Sequence, residues 1–323
     1  MMNLIQIAQE TFEIESQALI KTSSRLDDRF VEAVELILKT RGKLIITGVG
    51  KSGLVGAKMA ATFASTGTSS FFLHPTEALH GDLGMISRGD TLLAISSSGE
   101  SEELTKILPH IKRLNIPLIG LTGNPNSSLA KYSDVFLDIS VDKEACPLGV
   151  APTTSTTVTM ALGDALAVAL MHKRGFRQED FASFHPGGTL GKRLFVRVKD
   201  LMRRENLPII EKNTSLKEAI VVMSEGKLGN VLIIDERERF VAILSDGDLR
   251  RALMKSDFDI DRVAIDYASK NPQSYDNLEL LAIDALEIIE DRRIQLLPIT
   301  DKDQKIIGVL HIHDLVTAGI KSK

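Results

Sequence analysis

Lys51, His80, Glu103 and His185 can each donate or accept a proton, and each stands in or beside a polar segment rich in glycine or serine. Lys51 belongs to Gly48-Val49-Gly50-Lys51-Ser52-Gly53, which follows the apolar run Leu44-Ile45-Ile46. Glu103 comes just after Ser96-Ser97-Ser98-Gly99-Glu100-Ser101, which follows Leu92-Leu93-Ala94-Ile95. His80 lies between these loops in Glu77-Ala78-Leu79-His80-Gly81-Asp82, and His185 opens His185-Pro186-Gly187-Gly188. Taken singly, each has a plain structural explanation: a solvated lysine, a packed histidine, an acid in the first turn of a helix. Together they supply the bases, acids and cation that a proton transfer at carbon needs. The two loops offer something else. A buried strand that turns tightly into a helix aims backbone N–H groups and the positive helix end at an anion. Gly50, Ser52, Ser96, Ser98, Gly99 and Ser101 are therefore expected to cradle the phosphate of a small ligand, with Thr156 and Thr157 lining the same pocket from a later helix.

Two nucleotide readings of the first loop fail on context. Gly48, Gly50 and Gly53 fit G-x-G-x-x-G, but the second strand, Phe71-Phe72-Leu73, ends in His74-Pro75 where a nicotinamide cofactor needs an acid. Gly50-Lys51-Ser52 matches the end of a P-loop, but the position that requires glycine is Ile45. No cofactor is expected, and no ligand set argues for an essential metal.

Positioning these residues calls for a parallel sheet. Apolar runs at 43–47, 69–73, 91–95, 117–122 and 135–140 alternate with helical patterns at 52–65, 76–82, 101–113 and 127–132. This predicts a doubly wound α/β domain with five parallel strands and helices on both faces. Two helices precede it within 3–39, and an alanine-rich helix follows Thr153–Thr157. The small residues of that last helix suit close packing, either in the core or against another subunit. The chain of 323 residues has room for more than one domain, and a net charge of −4 gives no reason to expect nucleic acid. One cysteine, Cys146, rules out an internal disulfide framework and fits the reducing cytoplasm. The acidic start MMNLIQIAQETFEIE is unlike a signal peptide, and no stretch reads as long and apolar enough to span a bilayer, so no membrane partner is expected.

After Val198 the chain repeats itself. Asp200 to Leu253 and Asp266 to Ile320 each read as strand, helix, strand, strand, helix, and Asp235 and Asp248 align with Asp301 and Asp314 at a period of 66 residues (314 − 248). The pair resembles a tandem of cystathionine-β-synthase (CBS) domains. In that family Ser/Thr-x-x-Asp can hold a nucleotide ribose, and Ser245-Asp246-Gly247-Asp248 matches it. The second copy, His311-Ile312-His313-Asp314, lacks the hydroxyl. The resemblance thus implies one nucleotide effector site at Ser245 and Asp248. The plainer reading is that Asp248 and Asp314 cap helices.

Residues 1–195 resemble the sugar isomerase (SIS) domain through GVGKSG at 48–53, FFLHPTEALHGDLGM at 71–85, ISSSGESEE at 95–103, KEACPLGVAPTTSTT at 143–157 and HPGGTLGKRL at 185–194. With CBS modules expected at 196–258 and 259–323, the whole is similar to the D-arabinose 5-phosphate isomerase family. The resemblance implies reversible conversion of D-ribulose 5-phosphate into D-arabinose 5-phosphate through a cis-enediol, at the start of Kdo synthesis for lipopolysaccharide. It makes Lys51, His80, Glu103 and His185 the catalytic residues. The working assignment gives Glu103 or His185 the carbon proton, His80 the oxygen protons and Lys51 the enediolate charge. It also implies a homo-oligomer, commonly a tetramer, whose sites share residues between subunits. The competing readings are a non-enzymatic sugar-phosphate sensor, an isomerase of another sugar phosphate, and a paralogue that runs the same reaction in a sugar-alcohol pathway.

Overall fold

In the computed structural model, which describes residues 3–321, the alternating runs form the expected sheet. The first unit contains α1 (Leu4–Ser24), α2 (Asp28–Leu38), β1 (Leu44–Gly48), α3 (Gly50–Ser65), β2 (Ser70–Phe72), α4 (Pro75–Leu79), β3 (Thr91–Ile95), α5 (Glu102–Arg113), β4 (Leu118–Thr122), α6 (Ser128–Tyr132), β5 (Val135–Asp138), α7 (Thr154–Arg174) and α8 (Gln178–Phe184). The strands lie in the order β2-β1-β3-β4-β5, and every pairing is parallel. Side chains alternate across the sheet as the strand period requires. Leu44, Ile46, Leu93 and Ile95 pack with Val55, Met59 and Phe63 of α3, Ile37 of α2 and Leu166 of α7. Ile45, Leu92 and Ala94 face the other way, onto Ala78 of α4 and Leu104, Ile107 and Leu108 of α5.

Helix α7 corrects one expectation: by length and composition it is apolar enough to cross a bilayer. Its Val158, Leu162, Leu166 and Leu170 are buried in the core, and it packs on α1, α2 and α3. A Cβ on Gly163 would come within 2.5 Å of Met59 on α3, so the small residue there permits a close helix crossing inside the unit.

The chain divides into two compact units between Phe184 and His185. The second contains α9 (Thr189–Phe195), α10 (Val198–Leu201), β6 (Ile209–Glu211), α11 (Leu216–Gly226), β7 (Asn230–Ile234), β8 (Phe240–Ser245), α12 (Asp246–Leu253), β9 (Ser269–Lys270), α13 (Ala282–Asp291), β10 (Leu296–Thr300), β11 (Ile306–His311) and α14 (Ile312–Thr317). The repeat is visible in its turns. Asp235 Oδ1 accepts from the amides of Arg237 and Arg239, and Asp301 Oδ1 accepts from those of Asp303 and Lys305, all at 2.8–2.9 Å. Glu238 and Gln304 take the same left-handed φ of +62°. The opening segments are exchanged between the copies: β9 pairs antiparallel with β8 of the first copy (Ser269 opposite Ile243), giving a sheet β6-β7-β8-β9 beside a two-stranded β10-β11, and Arg203 makes the equivalent antiparallel bridge to Val309 of β11. Tyr275 makes a parallel bridge to Ile299, where β6 pairs parallel with β7 in the first copy.

Candidate active site

The strand order reverses direction at β1, with β2 on one side of it and β3 on the other, and the crevice outside the carboxyl ends of strands at such a point is where open α/β sheets bind ligands. Gly48 lies beside Ile95 in the register, so the loops that follow β1 and β3 leave the sheet next to each other. A Cβ on Gly53 would lie 2.7 Å from the Gly48 carbonyl, which explains the tight turn into α3. Gly50 has φ +58° with no atom within 4 Å of where a Cβ would be, and Lys51 beside it is exposed.

The serine loop is braced from inside. Ser96, 2% exposed, accepts from the Gly99 amide at 3.0 Å through Oγ and shares a 2.9 Å bond with Ser101 Oγ. The Ser97 carbonyl accepts from the Gly123 amide at 2.9 Å. Gly99 has φ +70°, and a Cβ there would lie 2.1 Å from Ser127 Oγ. Ser98 faces solvent, its Oγ accepting from the Glu100 amide at 3.2 Å. Glu100 turns away and accepts from the Ser128 amide at 2.7 Å, bonds that hold its carboxyl below the usual range. Neither α3 nor α5 has its first turn capped by the side chain of its N-cap residue, Val49 or Ser101. Both helix ends therefore keep amide donors for an anion.

Lys51, Pro152, Thr156 and Thr157 line a cleft of about 410 Å³. Thr157 Oγ1 donates to Glu15 Oε2 of α1 at 3.1 Å, and Thr156 Oγ1 donates back to the Thr153 carbonyl at 2.8 Å. Across Lys51 lies a second cleft of about 480 Å³, lined by Gly50, Phe72 and His74. His74 Nδ1 accepts from the Thr76 amide at 3.2 Å, which places the neutral ring's proton on Nε2. His80 is the exposed residue that ends α4, Glu103 is half-buried in the first turn of α5, and α4 packs on α5. His185 is half-buried and begins the second unit. The first unit thus holds Lys51, Thr156 and Thr157 in one cleft and carries His80 and Glu103 on neighbouring helices, while His185 belongs to the other unit. Among the described residues no three His, Cys, Asp or Glu side chains gather to hold a metal ion.

Three cleft-related residues carry no functional assignment from the sequence. His74 closes β2 at the ligand-bearing rim, a position that the strand pattern marks. Glu144 sits inside the segment at 143–157 that carries part of the SIS resemblance, and Glu15 has no local signal because α1 reaches the cleft only through tertiary packing.

In the second unit, Ser245 and Asp248 form a complete capping box. Asp248 N donates to Ser245 Oγ at 3.1 Å, while Ser245 N and Oγ donate to Asp248 Oδ2 at 3.0 and 2.6 Å. Arg251 donates to Oδ1. Burial raises the Asp248 pKa, and the bonds from Ser245 and Arg251 outweigh it, leaving the carboxyl below its ordinary value. Asp314 takes a bidentate Arg203 at 2.7 and 2.9 Å, and His311 caps α14 through Nδ1.

The chain matches the SIS domain family over residues 37–169 and the CBS domain family over 198–255 and 278–321. It is 49% identical over 320 residues to the arabinose 5-phosphate isomerase KdsD of Pseudomonas aeruginosa, covering 99% of this chain and 98% of that one. It is 46% identical to the KdsD of Salmonella typhi, covering 98% and 96%. A solved structure from E. coli CFT073, in complex with arabinose 5-phosphate, covers 57% of this chain and 100% of its own, with 41% identity and a TM-score of 0.56. Fold and site therefore define a SIS-domain isomerase that carries a CBS pair. Within that class, the chain belongs to the arabinose 5-phosphate isomerase family.

Proposed function

We infer that the chain is an aldose-ketose isomerase that interconverts D-ribulose 5-phosphate and D-arabinose 5-phosphate, the first step of Kdo synthesis for lipopolysaccharide. One observation carries this reading: the likeness to named isomerases of this kind extends over nearly the whole of both chains. The reaction moves a proton between adjacent carbons and another between their oxygens, so it needs bases and acids set around an enediol. We assign these tasks to Lys51, His80, Glu103 and His185: Glu103 or His185 takes the carbon proton, His80 serves the oxygens and Lys51 balances the enediolate charge. The phosphate is held by the open amino ends of α3 and α5, with Gly50, Ser52, Ser98, Gly99 and Ser101 around it and Ser96 as the brace that shapes the loop. Holding the phosphate away from the reacting carbons lets binding energy orient them.

The active form is a homo-oligomer, a tetramer with sites completed by neighbouring subunits. What supports this is the outer side of α1, where Leu4, Ile5 and Phe12 are exposed. A nucleotide effector binds the CBS pair, with Ser245 and Asp248 as contacts; their mutual capping means that a ribose must compete with Arg251 for the carboxylate. A single cysteine, Cys146, suits a cytoplasmic place of action.

The test is proton NMR of D-ribulose 5-phosphate with the purified protein in deuterated buffer. Appearance of D-arabinose 5-phosphate carrying deuterium at C2 supports the isomerase and its enediol route. A protein that binds the sugar phosphate without turnover or exchange is a sensor.

A further inference from the structure

We propose that Thr157 is a specificity contact of this reaction: its hydroxyl, turned by Glu15 of α1, accepts a hydrogen bond from a sugar hydroxyl on a carbon that does not react. The proposal rests on the reading of the Lys51 cleft as part of the substrate site. The threonines of α7 use their hydroxyls in two ways. A helical threonine can turn Oγ1 back onto a carbonyl one turn earlier. Thr156 does so to Thr153 at 2.8 Å and Thr159 to Ser155 at 2.7 Å. Thr157 instead donates off the helix, to Glu15 Oε2 at 3.1 Å. The helix period aims Glu15 there. Glu15, Ala18, Leu19 and Thr22 recur at spacings of three and four along one side of α1. Ala18 and Leu19 on that side pack against the core that contains Val158 and Leu162 of α7, and Glu15 beside them is half-buried.

A hydroxyl carries one proton and two acceptor lone pairs, and a carboxylate only accepts. The bond to Glu15 therefore keeps the Thr157 proton on the side of α1 and leaves Thr157 an acceptor toward the cleft that it lines. Lys51, on the same cleft, has the opposite sense, with three donors and no acceptor. Asp164, which also lines it, is already paired with Lys58. A ligand held between Lys51 and Thr157 must thus offer an acceptor to one and a donor to the other. A ketose phosphate does so: the oxygen that becomes the enediolate meets Lys51, and a hydroxyl at C3 or C4 meets Thr157. Leu54, Val55, Met160 and Ala161 supply apolar lining, which leaves such a hydroxyl without another partner there. A contact of this kind discriminates against sugars that lack the hydroxyl.

Thr157→Val keeps the shape of the side chain and removes the acceptor. It is expected to raise KM for D-ribulose 5-phosphate by about 5- to 150-fold, the range for a desolvated hydroxyl left unpaired, with kcat within about threefold of the parent. Glu15→Ala frees the Thr157 hydroxyl to fold back as its neighbours do, and should raise KM by a lesser factor. Glu15→Gln keeps a carbonyl acceptor for it and should restore the parental value. The decisive probes are 3-deoxy- and 4-deoxy-D-ribulose 5-phosphate, used as competitors. One of them should bind the parent more weakly than D-ribulose 5-phosphate does and lose nothing further in Thr157→Val. A folded Thr157→Val with parental KM overturns the proposal, as do penalties of analogue and variant that multiply for both probes, or a Glu15→Gln no better than Glu15→Ala. Equal falls in unfolding temperature for Thr157→Val and Glu15→Ala, with KM unmoved, would make the bond a tie between helices and overturn it too. If Thr157→Val does not fold, parental KM in Glu15→Ala overturns it equally. Lys51→Ala separates the two readings: inactive beside an unchanged Thr157→Val, it removes this proposal alone; fully active, it removes the cleft as the substrate site and this proposal with it.

Discussion

Gly99→Ala is the sharpest single probe of the phosphate loop. The residue has φ +70°, where a Cβ costs about 1–2 kcal/mol. The new methyl would also lie 2.1 Å from Ser127 Oγ, 2.4 Å from Ser127 Cβ and 2.7 Å from Thr122 Oγ1. Ser127 is fully buried and its Oγ caps α6, so it cannot swing away, and overpacking of this kind costs about 1–3 kcal/mol. The sum, about 2–5 kcal/mol, corresponds to a fall of about 4–20 °C in the unfolding temperature of a unit of this size. Relief comes only by moving the loop, and the loop carries the donors offered to the phosphate. Losing one charge-assisted hydrogen bond, about 1.5–3 kcal/mol, raises KM for D-ribulose 5-phosphate by about 10- to 150-fold. Gly50→Ala is the control: its φ is +58° but its Cβ meets nothing within 4 Å, so only the backbone term of about 1–2 kcal/mol applies. Differential scanning calorimetry and steady-state kinetics on both variants decide the matter. Equal destabilisation by the two variants, or a Gly99→Ala that unfolds early yet keeps its KM, would refute the assignment of this loop.

Alanine at Lys51, His80, Glu103 or His185 is expected to lower kcat by about 10²- to 10⁴-fold while leaving the unfolding transition in place; a variant with parental kcat in the NMR assay leaves the catalytic scheme. The second unit should lose stability in mild acid. Burial, then the neighbouring His313, depresses the His311 pKa below that of a free imidazole, about 6.5. The stabilisation of the neutral ring is complete above that value and is lost as pH falls through the depressed one. His311→Ser, which copies Ser245 of the first module, should flatten unfolding temperature against pH between about 7 and 5; an unaltered slope would place the acid sensitivity elsewhere.

The sheet was legible because each strand is a short apolar run on which side chains alternate between two cores, and because the loops after β1 and β3 announce themselves by glycine and serine. The repeat was legible through Asp235 and Asp301, whose side chains build the same turn twice. What the residue types did not disclose is how a side chain is engaged. Ser96 reads as a ligand by type, but its hydroxyl is occupied by Gly99 and Ser101. β9 crosses to the first module's sheet although it belongs by sequence to the second, since pairing partners are fixed by tertiary packing and not by local pattern. The apolar length of α7 was hidden by its alanines and threonines, each only mildly apolar. Glu15 reaches Thr157 across 142 residues of chain, and no spacing rule links them.

The helix ends carry the functional argument one step further. The helices that begin beside the two phosphate loops, after the 143–157 segment and at the paired Ser245 and His311 positions fall into two groups. α7 is closed by Glu144, α12 by Ser245 with Asp248, and α14 by His311. α3 and α5 have no such side-chain cap. A closed end has satisfied its amides and neutralised its dipole, so an anion gains little there; an open end keeps both. The two open ends follow β1 and β3, the pair of strands that border the switch point, and the closed ones lie elsewhere in the fold. The division favours the proposed phosphate site at one rim of the sheet without invoking an arginine or a P-loop. It also explains why the Ser-x-x-Asp sequence of the first CBS module, complete as a cap, must open before it can hold a ribose.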